Sequence, residues 1–168
     1  MSEQLAEHIY VITEVGHAHH VRDQLPELPE SSFIIEPARR GTSGCALAAV
    51  HFVQSRHDHD EPMAVLWADH NIRDVDGFVQ SFKIAGEASR KHDRVALVGI
   101  EPTYPSTGLG YIHKADPLGN GGLIYNVAGF KEKPDLELAK QFFRSGEYLW
   151  NGGYVVGTVN AFTKAMET

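Results

Sequence analysis

Along the first hundred residues, short apolar runs alternate with longer stretches in which apolar side chains recur every three or four positions. The short runs are typical of buried strands, and the longer stretches are typical of amphipathic helices. This rhythm predicts an α/β fold with a mostly parallel sheet and helices on both faces. The predicted strands are residues 9–12, 32–35, 63–67 and 94–100, and the predicted helices are residues 17–25, 44–56 and 78–91.

The second half of the chain has more glycine and shorter strands. A glycine-rich segment at 107–110 precedes short mixed strands around 111–112 and 123–130. Pro134 and Asp135 are typical of a helix start, and this helix is expected to run to about Ser145. A last strand is predicted over 152–158, with Asn160 as the N-cap of a final helix. No repeat or low-complexity linker interrupts the sequence, which indicates one domain.

The composition narrows the class of protein. Hydrophobic residues make up 42% of the chain and the formal net charge is -7, which argues for a globular fold and against a general nucleic-acid binder. Cys45 is the single cysteine, so no intramolecular disulfide forms, as suits the reducing cytoplasm. Neither a secretory signal nor a membrane span is visible. The histidines at 17–20 and 57–60 lack the spacing of a structural zinc site.

An acidic residue follows the most apolar predicted strand. The run at 63–67 leads directly into Ala68, Asp69 and His70. In open α/β sheets the carboxyl ends of the strands are where ligands bind. A carboxylate there can hold Mg²⁺, which prefers oxygen ligands and shares them with substrate phosphates. The same residue would serve equally well as a cap for the next turn, and the motif alone leaves both functions open.

Two further segments carry groups suited to a sugar phosphate. Lys131 and Lys133 flank Glu132, and lysine is a partner for phosphate while a carboxylate can accept two sugar hydroxyls. A solvated charge run before a helix is the commoner explanation of such a string. Asn151 precedes two glycines, which permit close approach of a ligand or mark a bulge.

The segment between the second predicted strand and the next helix contains Glu36, Arg40 and Thr42. Main-chain amides at a helix start suit an anion, and a nearby arginine would add to the attraction. The Glu36 carboxylate could accept hydrogen bonds from the two neighbouring N–H donors of a guanine edge. Thr42 or Ser43 is equally an ordinary N-cap, which needs no ligand.

These motifs follow one another in a specific order. Glu36 with Arg40 and Thr42 comes first, then an alanine-rich helix and Asp69, and then the segments 99–112, 130–135 and 148–151. In this order and spacing the sequence resembles the mannose-1-phosphate guanylyltransferases of the sugar nucleotidyltransferase superfamily over nearly its whole length. The resemblance implies a Rossmann-like nucleotidyltransferase fold of the glycosyltransferase A-like type.

The resemblance also implies functions for particular residues. Asp69 would bind Mg²⁺ and Lys133 the phosphate of the sugar, and these two are the expected catalytic residues. The nucleotide would lie along Glu36, Arg40 and Thr42, and the hexose would contact Gly108, Gly110, Glu132 and Asn151. In the family's reaction a mannose-1-phosphate oxygen attacks the α-phosphorus of GTP, which gives GDP-mannose and pyrophosphate without a protein nucleophile.

Departures from the family pattern bear on activity. No counterpart of the family's opening strand and glycine-rich loop is found in 1–168, so we expect a partial nucleotidyltransferase domain, truncated at both ends and inactive by itself. Two other functions stay open. One is a sugar-1-phosphate nucleotidyltransferase that uses a uridine or thymidine nucleotide, and the other is a non-catalytic sugar-nucleotide-binding or regulatory domain. The sequence also leaves the formation of a homo-oligomer open.

Overall fold

The computed structural model describes residues 6–38, 41–119 and 121–167. Within these ranges the helices are α1 Ala18–Gln24, α2 Gly41–Gln54, α3 Val75–His92, α4 Leu136–Ser145 and α5 Val159–Met166. The strands are β1 Val11–Glu14, β2 Phe33–Glu36, β3 Pro62–Val65, β4 Ala96–Ile100, β5 Gly110–Pro117, β6 Tyr125–Lys131 and β7 Tyr148–Thr158. Strands and helices alternate along the first half of the chain, as the alternation of short apolar runs and helical periodicity predicts.

The long strand β7 is the centre of a five-stranded sheet. Val155 and Val156 pair with β3 and also with β4, so those two strands lie along opposite edges of β7. The other half of β7 pairs with β5, and β6 extends the sheet from β5. A separate two-stranded sheet joins β1 and β2.

The prediction of a mostly parallel sheet is wrong for this arrangement. Among the described residues only β1 and β2 form a parallel pair, and every ladder of the five-stranded sheet is antiparallel. The physical reason is the position of β7. The strands β3 and β4 run in the same direction, as a crossover through α3 requires, but β7 lies between them and runs the opposite way.

Helices cover both faces of this sheet, as predicted. Side chains alternate between the faces of a strand, so Val155 and Val156 face opposite ways. Val156 packs with Phe82 of α3, whereas Val155 packs against a cluster formed by Val50 of α2 and Phe162 of α5. A third cluster, with Tyr111, Ala139 and Trp150 as its buried residues, lies between α4 and the sheet. None of the helices in the described ranges has the length and apolar character that a membrane span requires.

Side-chain caps fix the starts of α4 and α5. The Asp135 carboxylate accepts from the Leu138 amide at 2.9 Å, which confirms the predicted start of α4. For α5 the prediction of Asn160 as N-cap is wrong, since Thr158 fills that position and accepts from the Ala161 amide at 3.0 Å. Both threonine and asparagine are good caps, and α5 simply begins earlier than the sequence indicates.

Candidate functional site

A cleft of about 710 Å³ opens beside the middle of β7. The turn after β3, the loop between β4 and β5 and the end of β6 form its other walls. Six of the residues singled out from the sequence line it together, namely Asp69, Gly108, Gly110, Glu132, Lys133 and Asn151. Residues from distant parts of the chain therefore meet in one place.

Asp69 lies on a turn beyond the carboxyl end of β3, which ends at Val65. Its side chain is 88% exposed, so it faces solvent and the open cleft. The turn is tied to the sheet by Trp67, whose indole Nε1–H donates to the carbonyl oxygen of Gly153 at 3.1 Å. This bond between segments far apart in sequence holds the Asp69 turn against β7.

His70 and Tyr154 form a pair beside Asp69 that sequence reasoning missed. The Nδ1 atom of His70 lies 2.5 Å from the Tyr154 hydroxyl, and its Nε2 atom lies 3.9 Å from Oδ1 of Asp69. Burial raises the pKa of Tyr154, and the negative charge of Asp69 raises it further, so the phenol keeps its proton. His70 follows Asp69 in the motif, but Tyr154 stands in an apolar strand with no local signal of a polar function.

Glu132 and Lys133 follow the end of β6 directly. The Lys133 Nζ atom lies 3.5 Å from Oε1 of Glu132, and both side chains are more than half exposed at the cleft. Lys133 has a φ of 38°, a left-handed conformation that is unusual for any residue with a side chain. Pro134 follows at once and starts the turn into α4, so the backbone is bent sharply where the lysine is presented.

The glycines of the β5 wall allow neighbouring groups to come close to the backbone. A Cβ atom added at Gly110 would lie 2.7 Å from the Phe130 ring and 2.8 Å from the Glu132 carboxylate. A side chain at position 110 would therefore displace the Phe130 ring and the Glu132 carboxylate. The Gly108 amide donates to the Ser106 hydroxyl at 3.2 Å, and the buried Tyr111 hydroxyl donates to the Ser106 carbonyl at 2.9 Å. These bonds order the loop before β5.

Asn151 is held by the bend of β7. Its side-chain oxygen accepts from the Gly153 amide at 3.0 Å, which orients the amide group and leaves its nitrogen for other partners. Gly153 has a φ of 78°, which permits this local turn within the strand. The neighbouring Trp150 is buried, and among the described residues its indole nitrogen has no hydrogen-bond partner.

Of the predicted nucleotide-binding residues, Glu36 is described in full, and it does not line the cleft. Glu36 ends β2 in the separate two-stranded sheet, and its carboxylate accepts from the Cys45 thiol at 3.1 Å. Burial raises the pKa of Cys45, and the hydrogen bond to Glu36 and the charge of Glu36 raise it further. Arg40 lies outside the described residues, and Thr42 is part of α2 with a side chain that is also outside them.

The donor set around Asp69 decides what kind of cation it can hold. Within the described ranges no group of three histidine, cysteine, aspartate or glutamate side chains is placed to bind a metal ion. Asp69 alone supplies one exposed carboxylate. Mg²⁺ commonly binds through one or two carboxylates together with waters and substrate phosphates, so a single carboxylate fits this shared mode and does not fit a cage made of protein alone.

Comparisons with known proteins extend this description. A mannose-1-phosphate guanylyltransferase from Salmonella typhimurium is 34% identical over 160 residues, which are 94% of this chain and 33% of that protein. One from Klebsiella pneumoniae is 39% identical over 147 residues, which are 85% of this chain and 31% of that protein. The chain thus spans about a third of the length of these curated relatives.

A solved structure also has a similar fold. A crystal structure described as mannose-1-phosphate geranyltransferase from Thermus thermophilus matches with a TM-score of 0.81 and 26% identity, over 93% of this chain and 44% of that chain. This match confirms the predicted nucleotidyltransferase fold. A family model described as nucleotidyl transferase matches residues 1–167. With that match over nearly its whole length, the chain belongs to the nucleotidyl transferase family.

Proposed function

We propose that this chain forms the sugar-phosphate-binding core of a mannose-1-phosphate guanylyltransferase, an enzyme that transfers GMP from GTP to mannose-1-phosphate in the cytoplasm and releases pyrophosphate. The observation that supports this most strongly is the gathering of anion-binding and hydroxyl-binding groups from four chain segments in one cleft of about 710 Å³. Relatives of that name are 34% and 39% identical to it, which supports mannose as the sugar.

Lys133 binds the phosphate of mannose-1-phosphate in this proposal. Its side chain is 62% exposed at the cleft, and its neighbour Glu132 lies at 3.5 Å, too far for a tight ion pair. An incoming phosphate can therefore bind the Lys133 ammonium group without breaking a strong contact to Glu132. The left-handed backbone at Lys133 supports a functional reason for its position, since strained residues concentrate at ligand-binding sites.

The hexose lies between the β5 and β7 walls. Glu132 accepts hydrogen bonds from two sugar hydroxyls, and the amide nitrogen of Asn151 donates to another. Gly108 and Gly110 present bare backbone, so that the ring can lie against the loop before β5. These separate contacts with the hexose account for a cleft wall that combines an acidic residue, an amide and glycines.

Asp69 would hold Mg²⁺, which would supply charge neutralisation to the substrate phosphates. Lys133 contributes positioning and positive charge at the bound phosphate, and no protein nucleophile takes part. The sugar phosphate oxygen attacks the α-phosphorus of GTP, and pyrophosphate leaves.

The nucleotide contacts Glu36, Arg40 and Thr42 in this proposal. Glu36 accepts from the guanine edge, while Arg40 and the start of α2, where Thr42 stands, attract the phosphates. Glu36 lies in the two-stranded sheet and not in the cleft, which suits a ligand whose base and sugar phosphate are far apart.

NMR titration of the ¹⁵N-labelled chain with a panel of ligands tests the proposal, because amide shifts report binding of inorganic phosphate as well as of sugar phosphates. Mannose-1-phosphate and GDP-mannose should bind, and Glu132→Gln should weaken both while leaving binding of inorganic phosphate unchanged, because the partners of Glu132 are sugar hydroxyls. Glu137→Gln on the exposed first turn of α4 is the matched control. Equal loss of inorganic phosphate binding in Glu132→Gln would refute the assigned role.

A further inference from the structure

A tyrosine–histidine pair lies in the cleft wall beside Asp69. The Tyr154 ring is 3% exposed and makes edge-to-face contacts with Phe78 and Phe82, at centroid distances of 5.4 and 5.7 Å. Its hydroxyl lies 2.5 Å from Nδ1 of His70, across 84 positions of sequence. A ring so firmly packed offers a fixed point from which its hydroxyl can hold another side chain.

The hydrogen bond from Tyr154 determines how His70 faces Asp69. With the phenol donating to Nδ1, a neutral imidazole carries its proton on Nε2, the atom that lies 3.9 Å from Oδ1 of Asp69. The opposite arrangement would aim the lone pair of Nε2 at a carboxylate, which is repulsive. The His70 imidazole thus lies between the Tyr154 hydroxyl, at 2.5 Å from Nδ1, and the Asp69 carboxylate, at 3.9 Å from Nε2.

Among the described residues, two side-chain hydrogen bonds join the segment around Asp69 to β7. The Asp69 side chain itself is 88% exposed, so contacts of its neighbours must order the turn. The bond from Trp67 to Gly153 fixes the turn before Asp69, and the bond between His70 and Tyr154 fixes it after Asp69.

We propose that Tyr154 is a positioning residue, which acts through His70 to order the Asp69 turn for a divalent cation shared with a sugar phosphate. Partners of metal ligands commonly act in this way, because they fix the orientation of the group that binds the ion. The inference rests on the proposed function for the identity of the cation and of the sugar phosphate. The part of the inference that concerns the order of the Asp69 turn is independent of the proposed function.

Tyr154→Phe is the direct test, since it removes one hydroxyl and keeps the packed ring. Backbone order parameters of residues 68–71 should fall from about 0.85 toward about 0.6, the range of flexible segments. Affinity for Mn²⁺ in the presence of mannose-1-phosphate should fall about tenfold. Affinity for mannose-1-phosphate without cation should stay unchanged. Tyr125→Phe, which removes a hydroxyl bonded to the Gly122 carbonyl at 2.7 Å, is the control.

A double-mutant cycle separates positioning from a general structural effect. Tyr154→Phe combined with His70→Ala should bind Mn²⁺ no more weakly than His70→Ala alone, because the hydroxyl acts only through the imidazole. Additive losses, or an ordered turn in Tyr154→Phe, would overturn the inference. Failure of the wild-type chain to bind mannose-1-phosphate would instead contradict the proposed function, while the order parameters would still decide the role of Tyr154 in the turn.

Discussion

At Lys133 an exposed ammonium group is presented from a left-handed backbone position at the edge of the cleft. Lys133→Ala should weaken binding of mannose-1-phosphate by about 1–3 kcal/mol, since a charge-assisted contact to phosphate is lost. Isothermal titration or NMR line positions would measure the change. Lys140→Ala is the matched control, because Lys140 pairs with Glu137 at 2.7 Å on α4 and does not line the cleft. Equal weakening in the two variants would show that the effect is one of net charge.

A second prediction for single residues concerns the reactivity of Cys45, which contacts Glu36. Burial raises the pKa of Cys45, and the Glu36 carboxylate raises it further, so little of the thiol is ionised at neutral pH. Glu36→Gln removes the charge and should lower the pKa, which increases the thiolate fraction. Alkylation of Cys45 at about pH 8, near the ordinary thiol pKa, should therefore become several times faster. An unchanged rate would mean that the carboxylate does not face the thiol in solution, and Glu61→Gln serves as the control.

Within β7, the glycine at 153 is needed for the strand to bend around Asn151. Its φ is 78°, and an added Cβ would collide with the indole nitrogen of Trp67. Gly153→Ala should lower the free energy of unfolding by about 1–3 kcal/mol, because strain and overpacking act together. Gly129→Ala in β6 meets no atom within 4 Å and should change stability by less than about 1 kcal/mol. Urea unfolding of the two variants would compare them. Similar losses would contradict the account of Gly153.

The elements that could be predicted are those with a local signal. The apolar residues of α3 recur at helical spacing, and α4 follows Pro134 and Asp135, so the existence of both helices can be predicted from the sequence, although α3 begins at Val75 and not at residue 78. The position of β7 between β3 and β4 could not be predicted in this way, because contacts between residues far apart in sequence determine which strands are neighbours. Short apolar runs do not distinguish a parallel from an antiparallel partner, and so the sheet was predicted with the wrong pairing.

For the molecule as a whole, the site residues that could be predicted are again those with a local signal in the sequence. Asp69, Glu132 and Lys133 stand in recognisable motifs, and the fold brings them into one cleft. Tyr154 had no such signal, because an aromatic residue in an apolar strand is usually part of the core, and its polar contact depends on His70 from a distant turn. Glu36 lies at the end of a strand, as the sequence indicated, but that strand belongs to the separate small sheet.

The central claim is that this cleft binds a sugar phosphate, and an NMR titration of the ¹⁵N-labelled chain with mannose-1-phosphate tests it most directly. The expected dissociation constant is millimolar, which corresponds to about 4 kcal/mol of binding free energy. The account predicts that amide shifts concentrate at Gly108, Gly110, Glu132, Lys133 and Asn151, with small changes elsewhere. Shifts that cluster instead in the histidine-rich loop at 57–60, or spectra that do not change up to tens of millimolar ligand, would contradict it.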